Sequence, residues 1–142
     1  MFRGSLPTRV DDKGRLKMPA DFKRDLDEEQ EFYITSQDGK RAQLYPMAVW
    51  MQKEEILKTI PSTNPAKIRY LAVTSRFGAV TKMDSQGRLL LPARLREAAN
   101  VTGDVEVVGV QEFLEVVDRK LFEQESAPLT AEELTTLAGF GL

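Results

Sequence analysis

The chain has 142 residues, 42% apolar and 30% charged, with a formal net charge of −2. That is the mixture of a folded globular protein with one compact domain or two small ones. It contains no cysteine and no histidine, which excludes disulfides, thiolate metal sites and cysteine nucleophiles. It also removes the commonest general base and transition-metal ligand, so neither a metal nor another cofactor is expected. No apolar run approaches the roughly 18 residues of a membrane span, and Met1-Phe2-Arg3-Gly4 lacks the apolar core of a signal peptide. A soluble cytoplasmic protein without a membrane partner is the expectation.

Taken in chain order, Asp11-Asp12-Lys13-Gly14 reads as a turn, because Asp bonds its own backbone and Gly accepts positive φ. The next residues alternate, with Arg15 and Lys17 on one face and Leu16 and Met18 on the other, as in a half-buried strand. Pro19 ends it and opens a short helix from Ala20 to Leu26 with Phe22 and Leu26 inward. Glu31–Thr35 and Ala42–Tyr45 flank an Asp38-Gly39 hairpin turn. A helix is predicted from Pro46 to Thr59. After the linker Pro61–Pro65, a second runs from Ala66 to Ser75, with Lys67 and Arg69 on it and Arg76 beside it.

The pattern then starts again. Asp84-Ser85-Gln86-Gly87 is a turn, Arg88–Leu91 a strand with Leu89 and Leu91 inward, and Ala93–Ala99 a helix after Pro92 with Leu95 and Ala99 inward. Strands at Val105–Val108 and Phe113–Val117 follow, then a helix from Asp118 to Gln124. Thr130-Ala131-Glu132-Glu133 is a capping-box start for a last helix ending near Gly139.

The repetition is a duplication. Val10–Ala20 aligns with Met83–Ala93 at a constant offset of 73, with six of eleven positions identical. Phe22 then matches Leu95, and Lys23 matches Arg96. The chain divides into a first repeat (1–60), a linker and connecting helix (61–76), a second repeat (77–125) and a tail (126–142). Charge is segregated in step: residues 1–26 carry +3, 27–66 carry −3, 67–96 carry +6 and 97–142 carry −8. The near-neutral total hides two basic segments, and each holds one copy of the repeated motif.

Met1-Phe2-Arg3-Gly4, the two Asp-x-x-x-Arg motifs with their following Pro19 and Pro92, and Leu44-Tyr45-Pro46 ahead of Trp50 together resemble the MraZ family, from Met1 to about Phe122. The resemblance implies an α+β fold in which two tandem AbrB-like β-rich repeats with short helices form one pseudo-twofold β-barrel. It implies ring-shaped homo-oligomers that bind direct repeats of double-stranded DNA in the promoter of the division and cell-wall gene cluster, on the nucleoid. It also implies that Arg15 and Arg88 contact that DNA.

Read from chemistry alone, Arg15 and Arg88 have two roles open to them. Each can merely close a turn by a local ion pair, or each can offer its planar fork to phosphate or to the edge of guanine. Lys13, Lys17, Arg94 and Arg96 are either further phosphate contacts or plain solvated charge. Asp11 and Asp84 are expected to order the turns and aim the arginines rather than act as an acid–base pair, since each has a basic residue in its own turn. Gly14 and Gly87 supply backbone conformations that other residues resist. Phe32, Tyr45 and Trp50 are read as core or subunit-interface residues rather than base-stacking platforms.

Three functions compete. A DNA-binding regulator fits the basic turns. A protein-interaction module of antitoxin-like type, which AbrB-like folds also serve, would dock through the acidic C-terminal third. A phosphate-handling enzyme using the Gly-Arg turns is disfavoured, because no P-loop, metal cluster or nucleophile–base pair is visible.

Overall fold

A computed structural model describes residues 1–142. Its elements in chain order are β1 (Ser5–Val10), β2 (Arg15–Lys17), α1 (Ala20–Lys23), β3 (Glu31–Thr35), β4 (Ala42–Pro46), α2 (Met47–Lys58), α3 (Pro65–Arg76), β5 (Ala79–Lys82), β6 (Arg88–Leu90), α4 (Ala93–Ala99), β7 (Gly103–Val110), β8 (Phe113–Asp118), α5 (Arg119–Gln124) and α6 (Ala131–Ala138). All eight strands join one antiparallel sheet in the order β5-β3-β4-β8-β7-β1-β2-β6. The terminal strands β5 and β6 are consecutive in the chain and lie against each other, so the sheet curls into a nearly closed barrel.

The two repeats are interleaved within it. β1 pairs along its whole length with β7 of the other repeat, and β5, its equivalent, pairs with β3. β2 and β6 cross at the pseudo-twofold axis, where Leu16 lies opposite Leu89, Arg15 opposite Leu90 and Lys17 opposite Arg88. The backbone bonds obey the same exchange. Met18 N–H donates to the Gly87 carbonyl (3.0 Å), and Leu91 N–H donates to the Gly14 carbonyl (2.9 Å).

Alternation fills the barrel as the sequence pattern requires. Leu16, Met18, Leu89, Leu91, Phe32, Ile34, Val105 and Val107 are buried in one core, with Phe22 and Leu95 supplied by α1 and α4. On the outer face of β3 and β4, Tyr33 stacks on Trp50 of α2 at 4.3 Å between ring centroids, and Tyr45 stacks on Phe113 at 4.6 Å. Phe32, Tyr45 and Trp50 are all buried. α3 is pinned at its C-terminal end, where the Thr74 carbonyl accepts from Thr35 Oγ1 (2.6 Å) and Tyr33 OH (3.1 Å).

Two strands lie outside the sequence prediction. β1 carries only Leu6 and Val10 as large apolar residues and holds Pro7 at its middle. Proline removes a ladder donor, but β1 meets β2 only at Val10, so it presents an open edge where Pro7 sits. β5 is four residues long with exposed Val80. α1 also stops at Lys23 rather than at the expected Leu26. Beyond it, Asp25 and Leu26 N–H donate to carbonyls three residues back, which tightens the chain into a turn while Leu26 still packs on the core. Its counterpart α4 reaches Ala99 as expected, and Asn100 ends it in the left-handed region at φ 54°.

Candidate nucleic-acid interface

Both Asp-x-x-x-Arg segments form the same turn. In the first, Asp11 Oδ1 accepts from the backbone N–H of Lys13 (3.0 Å) and of Arg15 (2.9 Å), and Gly14 N–H donates to the Asp11 carbonyl (2.9 Å). In the second, Asp84 Oδ1 accepts from Gln86 and Arg88 N–H, both at 2.9 Å, and Gly87 N–H donates to the Asp84 carbonyl (3.0 Å). The second carboxylate oxygen then takes the arginine. Asp11 Oδ2 accepts from Arg15 Nε at 2.8 Å, and Asp84 Oδ2 accepts from Arg88 Nε at 3.1 Å. Backbone N–H donors and the guanidinium hold both carboxyl groups below the usual aspartate range.

The choice of nitrogen decides what the arginines can do. Only Nε is used by the aspartate; no hydrogen bond within the chain occupies the two Nη groups of either residue. Each guanidinium is therefore fixed in direction yet keeps its outer fork for a ligand, and both side chains stay about 30% exposed. The local ion pair, one of the two roles open to these arginines from sequence, is present, and it leaves the Nη edge of each unoccupied. Both arginines lie on the outer face of the β2–β6 ladder around the pseudo-twofold axis, with Lys17 directly across from Arg88.

The glycines explain how the repeats lock together. Gly14 has φ +85° and Gly87 has φ +73°. A Cβ on Gly14 would lie 2.5 Å from Arg96 Nε, and one on Gly87 would lie 2.6 Å from Lys23 Nζ. Arg96 of the second repeat thus roofs the first turn, held there by donating from Nε to the Leu91 carbonyl (3.0 Å), while Lys23 of the first repeat roofs the second. Lys23 is absent from the residues read as a site in the sequence. The signal was available, since the repeat alignment sets Lys23 against Arg96.

Lys13, Lys17 and Arg94 are exposed on the same turns, strand and helix, and Arg96 is half-buried over Gly14. The surroundings of the turns differ in charge. Residues 21–31, beside the second turn, hold six carboxylates against Lys23 and Arg24, whereas the equivalent 94–104 hold two carboxylates and two arginines. Asp27, Glu28 and Glu29 line a hollow shared with Asp84, Ser85 and Gly87.

Comparison with known proteins bears on this arrangement. A family model described as MraZ protein, putative antitoxin-like, matches the chain twice, over residues 1–72 and again over 78–138. A protein of Acidobacterium capsulatum named Transcriptional regulator MraZ is 53% identical over 146 aligned positions, covering all of both chains. Another of that name from Koribacter versatilis is 48% identical over 147 positions, again covering all of both. With one matched segment on each repeat and relatives aligned from end to end, the chain belongs to the MraZ family of transcriptional regulators.

Proposed function

We propose that this protein regulates transcription by binding double-stranded DNA sequence-specifically at the promoter of the bacterial division and cell-wall gene cluster, as a ring-like homo-oligomer in the cytoplasm and on the nucleoid. The observation that carries the reading is the pair of Asp-anchored arginines, each held through Nε with its Nη fork free, presented about one pseudo-twofold axis. Such a fork suits phosphate oxygens or the O6/N7 edge of guanine, and Lys13, Lys17 and Arg94, exposed, with Arg96 over Gly14, add positive charge on the same turns, strand and helix. One barrel offers few contacts, so its affinity is modest; joined barrels on DNA with several short repeats gain by effective concentration. The reading assigns the protein no catalysis, metal, cofactor or small-molecule substrate.

A second reading, an antitoxin-like partner binder, is favoured by the family description and by an open apolar groove between α2 and α3. One experiment separates the two. Arg15→Ala, Arg88→Ala and the double variant are titrated against promoter DNA by fluorescence anisotropy. Each single change should weaken binding about 5- to 150-fold, the ~1–3 kcal/mol of a bidentate contact, and the double should abolish it. Wild-type affinity in a folded double variant would remove the arginines from the interface and leave the partner-binding reading standing.

A further inference from the structure

Two apolar surfaces have no partner within the subunit, one at α3 and one on α6. α3 starts from Asn64, whose side chain accepts from Ala66 and Lys67 N–H; four and seven residues on stand Ile68 and Leu71, both exposed. α6 starts from Thr130 in a capping box; four and seven residues on stand Leu134 and Leu137. Leu134 is 53% exposed, and Phe140 and Leu142 beyond it are almost bare. On its other side, through Ala66, Lys67 and Tyr70, α3 forms with α2 an open groove of about 480 Å³, floored by Ile56, Leu57, Ile60 and Tyr70 and edged by Lys53 and Lys67.

α6 needs a surface. It has eight residues, none buried, and no hydrogen bond ties it to the barrel. Helices this short are marginal in water without packing, even with a good cap. Its charge indicates which surface it fits. Its first turn carries Glu132 and Glu133, and Glu123 and Glu125 precede it, whereas the groove is edged by Lys53 and Lys67. An acidic helix with a leucine stripe complements an apolar groove edged by two lysines.

We propose that α6 of one copy seats Leu134 and Leu137 on the α2–α3 groove of a second copy. The contact is head-to-tail: each chain offers one groove and one α6, so copies add until the rotation closes. It rests on the oligomeric part of the proposed function and specifies the contact that builds it.

The test uses full-length chains carrying Ile56→Glu or Leu134→Glu, measured by light scattering after size exclusion at tens of micromolar. Both positions are exposed, so the fold should survive, as checked by circular dichroism and melting temperature; Ile56→Ala and Leu134→Ala stand in if either fails that check. Each variant alone should lose the wild-type assembly and run as a monomer. Mixed in equal amounts, they should stop at a dimer, because one intact groove and one intact α6 remain between them. Wild-type mass in either variant overturns the proposal, as does a mixture that stays monomeric, the result expected if α6 folds back on its own groove. A wild-type chain that is itself monomeric defeats the oligomer reading altogether, whereas an oligomeric wild type with oligomeric variants removes this contact alone.

Discussion

Replacing Gly14 by alanine probes how firmly the first turn is tied to the opposite repeat. At φ +85° a side chain costs about 1–2 kcal/mol in backbone strain. The new Cβ would also lie 2.5 Å from Arg96 Nε. The guanidinium ends a flexible side chain and will swing out, breaking its 3.0 Å bond to the Leu91 carbonyl. A bond from a charged donor contributes about 1.5–3 kcal/mol when buried. Arg96 is half-buried, so screening leaves about 1 kcal/mol of that to lose. Gly103 supplies the comparison, since its φ is +64° and nothing lies within 4 Å of a Cβ built there. Gly103→Ala should therefore cost the strain alone, and Gly14→Ala about 1 kcal/mol more. For a chain of this size the gap is about 2–4 °C in melting temperature, read by calorimetry. In an Arg96→Ala background the two glycine changes should cost the same. Equal melting temperatures for the two variants in the wild-type background would refute the interlock.

Three further outcomes are expected. The acidic surroundings of the second turn should make Arg15→Ala more damaging to DNA binding than Arg88→Ala, and Glu28→Gln with Glu29→Gln should raise affinity; an equal or reversed ranking in anisotropy titrations would contradict this. Affinity should fall steeply with salt through counterion release and ignore EDTA, so a flat salt titration or loss of binding with chelator would count against the interface. The carboxyl groups of Asp11 and Asp84 are depressed by their backbone N–H and arginine partners. A depressed folded-state pKa contributes stability that is complete above the unfolded value near 3.8 and is lost as pH falls through the folded one. Asp11→Asn with Asp84→Asn should accordingly flatten the acid limb of a stability–pH curve measured by urea unfolding.

Much of the barrel could be read from the chain because a repeat displays its pattern twice. Leu16 and Leu89, Phe22 and Leu95, and the proline-led helices announce buried and exposed faces by alternation and by equivalence. β1 and β5 gave no such signal. Their stability comes from pairing with the other repeat, through Ser5↔Val108 and Ile34↔Ala79, and their own side chains are half-exposed and poorly patterned. The role of the motif aspartates followed from turn chemistry. That they would grip Nε and leave the Nη fork open is a matter of side-chain direction, which residue spacing does not encode. Lys23 is legible only through the repeat, as the counterpart of Arg96; its contact with Gly87, 64 positions away, arises through the crossing of β2 and β6.

The strand exchange between repeats sets the order of events during synthesis. β1 leaves the ribosome first, yet the strand that satisfies its backbone, β7, begins at Gly103. Leu16 and Met18 wait likewise for Leu89, and Met18 N–H has no acceptor until Gly87 appears. The nascent first repeat can form its β3–β4 hairpin and place Trp50 against Tyr33, since those contacts are local, but Leu16 stays without its partner Leu89 until the second repeat emerges. Long-range pairing of this kind slows folding and leaves strand edges open to other chains. Neighbouring ribosomes on one message carry the same unfinished halves, and a first repeat emerging from one of them can be completed by the second repeat of another, so the duplication that stabilises the barrel also creates a route to swapped assemblies.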